Sequence, residues 1–308
     1  MNFRPISIQD KDVITAFTHK SDFNNCDFAF ANMCSWSFFY DSEFAVADNF
    51  LFIRFYIEEK GHRHLAYMIP LSDGNGDGNA ASDLHHAIEM LEQDAETMGF
   101  TPLILGLSYE KKEELNALFP AKFTFMADRD YFDYLYLRAD LATLRGKKFQ
   151  PKRNHINKFR KLYPYEYHPV TPALVPQCLE VERIWWKANM DDKDVEDLSH
   201  EQLSMTFALN HFEELGLTGG AITVYGKLVA FTYGSPVNDT VFGVHVEKAD
   251  VFYEGIFSVI NMEFASRVPE QYIYINREED LGLPGLRQSK LSYNPTIILE
   301  KYAALRRR

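Results

Sequence analysis

Long apolar runs are what this 308-residue sequence most plainly lacks. No stretch approaches the roughly 20 apolar residues of a membrane-spanning helix. The opening MNFRPISIQDKD puts charges where a signal peptide has its apolar core, so a cytoplasmic chain with no integral membrane segment is expected. Cysteine is scarce as well. Cys26, Cys34 and Cys178 are odd in number, widely spaced and outside any C-x-x-C pair, which offers neither a disulfide framework nor a zinc site; buried thiols in a reducing compartment are expected. Positive charge is short, with 32 Lys and Arg against 44 Asp and Glu for a net charge of −12. A polyanion would therefore have to meet a local basic patch. Finally, there is no G-x-S-x-G and no cysteine in a nucleophile signature. Direct attack of an acceptor on a donor carbonyl then needs no covalent enzyme intermediate.

What remains suffices for a core: 46% hydrophobic and 15% aromatic residues, with an ordinary 25% charged. The length suits one large or two medium domains. In the second half, YEYHPV is a strand and LEVERIWWKANM a helix. Ser199 with Gln202 three residues later reads as a capping box before a helix through MTFALNHFEEL that stops at Gly216. AITVY and LVAFTYG flank Gly226–Lys227 as a hairpin, and TVFGVHVEK is the next strand. A helix, IFSVINMEFASRV, follows Gly255; YIYIN is a strand, LPGLRQSKL a helix and TIILEKY a final strand.

The first half repeats nearly the same order. FRPIS is a strand, DKDVITAFTHK and FAFANMCSWSFFY are helical, and FAVAD, FLFIRFYI and HLAYMIP are strands. A helix capped by Ser82 ends at Gly99, and PLILGL, YEKKEELNALF and YFDYLYL close the half as strand, helix and strand. The repeat is one of element order, not of residues. It predicts an α/β fold of two tandem halves, residues 1–145 and 146–308, packed as one unit with the working site in the second.

Three strands followed by a strand–turn–helix step into a parallel strand resemble the GNAT acyltransferase fold. That resemblance implies a sheet opened between its fourth and fifth strands, an acyl donor in the gap, and a helix amino terminus aimed at the donor's phosphates. The step here is ADVFYEGI. It carries Asp250, Tyr253, Glu254 and only Gly255, where acyl-CoA enzymes of that fold have a glycine-rich loop led by glutamine or arginine.

A closer resemblance rests on GKKFQPKRNHINKFRKLYPYEY (Gly146 to Tyr167), EKADVFYEG (Glu247 to Gly255) and INREEDLGLPGLRQSKLSYNP (Ile275 to Pro295). These segments are similar to the C-terminal aminoacyltransferase domain of phosphatidylglycerol lysyltransferases, tandem GNAT proteins related in fold to the Fem-type aminoacyltransferases. The resemblance implies transfer of an aminoacyl group from tRNA to a lipid headgroup or, in the Fem case, to a peptidoglycan precursor. The membrane domain that accompanies the lipid-modifying enzymes is not in this sequence.

Residue chemistry locates the candidate site. Glu278 and Asp280, at the carboxyl edge of YIYIN, are expected bases for an acceptor amine or hydroxyl. Asn276, Arg277, Arg287 and Lys290 would hold an anionic acceptor or a donor phosphate. Glu247, Lys248 and Tyr253 flank the expected donor gap, with Tyr253 as an acid or an orienting donor. Arg153 and Asn157 share a helix face in the basic segment Arg145 to Lys161, which has eight positive residues in 17 and could contact phosphates of tRNA or CoA. Each cluster also has a plain structural reading: a charged cap network, a dipole partner at a helix start, or a solvated helix face. No metal is expected. DGNGDG has Leu84 where a calcium loop needs its bidentate glutamate, and His62–x–His64 and His85–His86 lack partner ligands. Trp185–Trp186 reads as core.

The sequence thus points to an acyl- or aminoacyltransferase using aminoacyl-tRNA or acyl-CoA, with a small-molecule, lipid-headgroup or peptide acceptor. Two alternatives stand beside it: an acetyl-CoA-dependent N-acetyltransferase, and a non-catalytic GNAT-fold module that binds an anionic or nucleotide-linked metabolite.

Overall fold

A computed structural model of the chain describes residues 1–74, 80–189 and 195–307. Residues 75–78 of DGNGDG lie outside them. The strands are β1 (Arg4–Pro5), β2 (Glu43–Ala47), β3 (Phe50–Glu59), β4 (His62–Met68), β5 (Leu71–Ser72), β6 (Leu103–Leu107), β7 (Phe123–Ala127), β8 (Asp133–Leu137), β9 (Tyr165–Pro169), β10 (Thr218–Val224), β11 (Lys227–Pro236), β12 (Val241–Ala249), β13 (Tyr274–Asn276), β14 (Ile297–Leu299) and β15 (Tyr302–Arg306). The helices are α1 (Lys11–Thr18), α2 (Phe30–Ser35), α3 (Ser37–Tyr40), α4 (Ala80–Thr97), α5 (Tyr109–Leu118), α6 (Arg138–Thr143), α7 (Gln150–Leu162), α8 (Val175–Asn189), α9 (Val195–Asn210), α10 (Ile256–Ala265) and α11 (Pro284–Leu291). None of the described helices is long and apolar enough to cross a membrane.

The strands form two mixed sheets. One runs β1-β2-β3-β4-β6-β15-β7 with β5 on β3; the other runs β14-β8-β13-β12-β11-β10-β9. Two compact units follow, one of residues 1–133, 279–282 and 299–308, the other of residues 134–278 and 283–298. A cut at residue 145 thus separates β8 and β15 from the sheets they complete. The reason for β8 is visible in its side chains. Tyr134, Leu135 and Tyr136 are all fully buried, so both faces are covered and the strand belongs inside a sheet rather than at the end of one. TIILEKY does not form one strand: β14 ends at Leu299, and β15 begins at Tyr302 in the other sheet. β7 and α6 have no counterpart in the sequence reading. The Ser199–Gln202 capping box is also not one, because Ser199 lies inside α9, and Gln202 donates to Glu182.

Helical periodicity explains the packing. Along α4, Leu84, Ala87, Ile88, Leu91 and Ala95 are buried at three- and four-residue intervals. In the second unit α10 is apolar nearly all round. Its Ile256, Val259 and Ile260 join Ile222, Val224, Val229 and Ala230 of the sheet in one core cluster, with Ile156 and Phe159 from the inner face of α7.

The first unit is pinned by a buried ion cluster. The Lys301 ammonium lies 3.0 Å from Asp133, 3.2 Å from Asp27 and 3.5 Å from Glu279. Asp133 is fully buried and also accepts the Cys26 N–H at 2.8 Å. Burial opposes the Lys301 charge, yet the three carboxylates hold its pKa well above the usual lysine value. Cys26, Asp133 and Glu279 present ligand atoms within 4.8 Å of one another, but the positive charge among them is that ammonium. All three cysteines are buried, and burial first, then Asp133, pushes the Cys26 thiol up. Removing one partner of such a cluster leaves buried charge uncompensated. Lys301→Met should therefore cost about 3–5 kcal/mol in urea unfolding; a change within about 0.5 kcal/mol would show that the cluster does not hold these segments.

Candidate active site

The site lies wholly in the second unit, where β12 and β13 part. They pair in parallel only at Val241–Tyr274, Phe242–Ile275 and Gly243–Asn276, after which β12 continues to Ala249. On the other side of β12 the ladder with β11 shifts register between Tyr233 and Gly234. Bulges of this kind re-aim side chains. The strands come so close there that a Cβ on Gly234 would sit 1.9 Å from the Gly243 carbonyl oxygen. A Cβ on Gly243 would sit 2.9 Å from Cε1 of His245, so that glycine makes room for the imidazole.

Beyond β13 the chain turns sharply. The fully buried Asn276 accepts the Glu278 N–H on its side-chain oxygen at 2.7 Å, and Glu278 takes a left-handed φ of +58°. That conformation disfavours a residue with a Cβ by about 1–2 kcal/mol, and neighbouring bonds hold it in place. Arg277 donates to the Tyr134 carbonyl at 2.9 Å, Tyr134 donates to the Glu278 carbonyl at 3.2 Å, and Lys290 donates to the Arg277 carbonyl.

Two polar links then join the turn to β12. His245 Nδ1 lies 2.9 Å from Glu278 Oε1, and Ser235 Oγ lies 2.7 Å from His245 Nε2. With an ionised Glu278, Nδ1 carries the proton and donates to it, leaving Nε2 to accept from Ser235 when the ring is neutral. His245 and Ser235 are buried, whereas the Glu278 side chain keeps 23% of its exposure. The second link is Arg277 Nη2 to Glu247 Oε1 at 3.1 Å, with Asn261 Nδ2 on Glu247 Oε2 at 3.3 Å. Burial opposes the guanidinium charge, but Glu247 keeps its pKa raised. Arg277 faces the Tyr293 ring at 4.8 Å, and Lys152 Nζ lies 3.8 Å from the centre of the same ring.

The structure brings Asn276, Arg277, Glu278, Glu247 and Lys290 together, and other expected residues are engaged elsewhere. Asp280 is fully buried in the first unit, accepts the Gly282 N–H at 3.0 Å and pairs with Arg129 at 3.4 Å. Lys248 is buried, paired with Glu201 at 2.8 Å and 3.3 Å from the Trp185 ring centre. Tyr253 packs edge-on against Tyr163 at the rim of the core, and Arg287 is half-buried on α11. Arg153 donates to the Leu144 and Gly146 carbonyls, tying α7 to the end of α6, while Asn157 is exposed. In the basic segment, Lys148 pairs with Asp140, Lys158 with Glu254 and Arg160 with Glu263. Asp250 caps the Phe252 N–H and faces Lys227 at 3.8 Å.

Sequence reasoning missed His245 and Ser235, and took Lys152 only as one charge of the basic segment. One signal for the first two was present: glycines in the middle of adjacent strands, in TYGSP and VFGVH, mark a close approach or a bulge.

Residues 18–305 match the family model of the phosphatidylglycerol lysyltransferase C-terminal region. The chain is similar to a conserved protein of unknown function from Bacteroides thetaiotaomicron VPI-5482, with 51% identity, 100% of both chains covered and a TM-score of 0.93. It is also similar to L-PGS from Bacillus licheniformis, 15% identical, covering 96% of this chain and 92% of that one with a TM-score of 0.65. At that identity the likeness is one of fold. Among curated proteins, an uncharacterized protein of Mycoplasmoides gallisepticum is 24% identical over 172 residues, 55% of this chain and 54% of that protein. The chain thus spans about half the length of that curated relative. The architecture is a mixed α/β fold with the tandem GNAT, Fem-like arrangement.

The close approach of β11 and β12 can be tested by adding a methyl group. Gly234→Ala should destabilise by about 1–3 kcal/mol through overpacking and displace the His245 resonances in an NMR spectrum. Gly285→Ala, whose Cβ meets nothing within 4 Å, should stay within about 0.5 kcal/mol. Equal effects at the two positions would contradict the crowding described.

Proposed function

Because the chain belongs to the phosphatidylglycerol lysyltransferase C-terminal family, we propose that it transfers an aminoacyl or acyl group to an amine or hydroxyl by direct attack, with Glu278 as the base. The observation that carries this reading is the chain Glu278–His245–Ser235, set where β12 and β13 separate. A carboxylate that is partly exposed and oriented from behind by a buried imidazole is suited to take a proton from an attacking nucleophile. His245 is a positioning residue: it holds one carboxylate oxygen and has its own orientation fixed by Ser235. Asp280, buried against Arg129, is less suited to the same task. Backbone N–H groups of β12 beyond Gly243 are candidates for the oxyanion.

Two features favour aminoacyl-tRNA over acyl-CoA as the donor. His245–Glu278 and Arg277–Glu247 lie across the opening between the strands, so a pantetheine arm running along β12 would have to displace both pairs, whereas an acyl carbonyl need only reach the mouth of the opening. Glu254 also stands beside the amino end of α10, where it pairs with Lys158 and would oppose a diphosphate. With several basic-segment charges engaged internally, tRNA contact falls on the exposed Arg145, Lys147 and Lys161. The acceptor would be a lipid headgroup, a peptide or a small amine, in a cytoplasmic setting.

The test is transfer of labelled lysine or alanine from charged tRNA to phosphatidylglycerol vesicles and to peptide amines, with acetyl-CoA run in parallel. Glu278→Gln should lower kcat by about 10²–10⁴-fold with KM changed far less. His245→Asn, which can keep one donor toward Glu278, should lose less. Wild-type turnover in Glu278→Gln would remove Glu278 as the base. Transfer from acetyl-CoA alone would replace the donor.

A further inference from the structure

Arg277 is one of two cations that share the Tyr293 ring; the other, Lys152, stands on the first turn of α7. Among the described residues a single carboxylate, Glu247, answers both. It takes Arg277 Nη2 at 3.1 Å, while Arg277 Nη1 is buried with no hydrogen-bond partner. Among the described residues nothing accepts a hydrogen bond from Lys152; its ammonium has only the ring face, at 3.8 Å. Asn261 donates to the same Glu247, and its side-chain oxygen is buried and unpartnered as well. An unpaired guanidinium N–H and an ammonium with no hydrogen-bond acceptor in a half-dry aromatic setting are costly alone, and both are satisfied by one added negative group.

We infer that Lys152 and Arg277, both standing over the Tyr293 ring, form a receptor for a single small oxyanion, a carboxylate or a phosphate group, held between the two cations. One anionic oxygen would accept from Arg277 Nη1 and a second from Lys152 Nζ. Glu247 does not compete for these donors, because its oxygens face Arg277 Nη2 and Asn261 Nδ2. A hydroxyl on the same group, as on hydrogen phosphate, can donate to Asn261 Oδ1. The low local dielectric strengthens the attraction. The receptor does not depend on the transfer reading, since Glu278 takes no part in it.

The charge state of Lys152 supports this arrangement. Burial, and then the Arg277 charge, lower its pKa to about 8 against the opposing pull of Glu247; Tyr293 and Tyr136 line the same space. The sign follows directly. A lysine whose pKa is lowered by folding costs stability while it is charged; that cost is complete below about 8 and fades as pH rises from there toward the ordinary value of 10.5. A bound anion favours the charged amine, so binding takes up protons at a pH above 8 and weakens as pH rises further.

Thermal unfolding and calorimetry would use sodium phosphate and sodium acetate against sodium chloride at matched ionic strength, pH 7. Wild-type protein should show a saturable rise in Tm with one or both anions beyond chloride. Lys152→Arg should keep it and Lys152→Met should lose it. Lys152→Met should melt at or above wild type in chloride, having shed a charge that burial and Arg277 oppose, so its loss of response is not unfolding. Near pH 8.5, heats measured in two buffers of different ionisation enthalpy should report proton uptake. Glu278→Gln should respond like wild type, which separates failure here from failure of the transfer reading. A response to phosphate alone assigns a phosphate-bearing ligand, and a response to acetate alone assigns a carboxylate. No saturable response to either anion, or an unchanged response in Lys152→Met, would overturn the receptor.

Discussion

The second unit depends on one hydrogen bond at the end of a three-residue strand. The Asn276 side chain, buried completely, takes the Glu278 N–H and commits the chain to a left-handed step. Without it, Glu278 has no reason to leave the extended region, and a strand carried onward would place alternate side chains on opposite faces. With it, two consecutive residues both reach back to β12: Arg277 to Glu247 and Glu278 to His245. Tyr134 of β8 and Lys290 of α11 fix the same turn through backbone carbonyls. The site's geometry is set by backbone accounting before any ionisation is considered.

The strand that receives those contacts is itself shaped by what it lacks. Two glycines let β11 and β12 approach across a register shift, and the ring of His245 fills the space that a side chain at 243 would take. Short parallel pairing with β13 leaves the rest of β12 without a strand partner on that side among the described residues. An open strand edge is a liability in most proteins. Here the turn after β13 lays polar side chains along it.

Much of this was legible in the sequence, and the gaps have physical causes. Element order and strand type came from hydrophobic patterning, and the strand–turn–helix step from Gly255, whose φ of +91° and crowding against the His155 carbonyl exclude a side chain. The cluster Asn276–Arg277–Glu278 was visible as polar residues after an apolar strand. Which carboxylate faces the opening was not visible. Glu278 and Asp280 stand two apart in sequence, but the chain takes a left-handed step at Glu278, and the two carboxylates fall in different units. His245 was obscure because its partners, Ser235 and Glu278, lie ten and 33 positions away; only a fold brings them together. Lys152 looked like one more charge in a basic run, and nothing local says that Tyr293 covers it. The Ser199 box failed for the opposite reason, since a correct local pattern sits inside a longer helix.

The most direct test of the account is a structure of the protein bound to a non-transferable donor analogue, an aminoacyl group joined to adenosine through an amide. The account expects the acyl carbonyl in the space where β12 and β13 part. Glu278 should then be placed to receive a proton from an acceptor atom lying about 3–3.5 Å from that carbonyl. An acyl group seated elsewhere, with the Glu278 carboxylate facing no approach to it, would contradict the central claim.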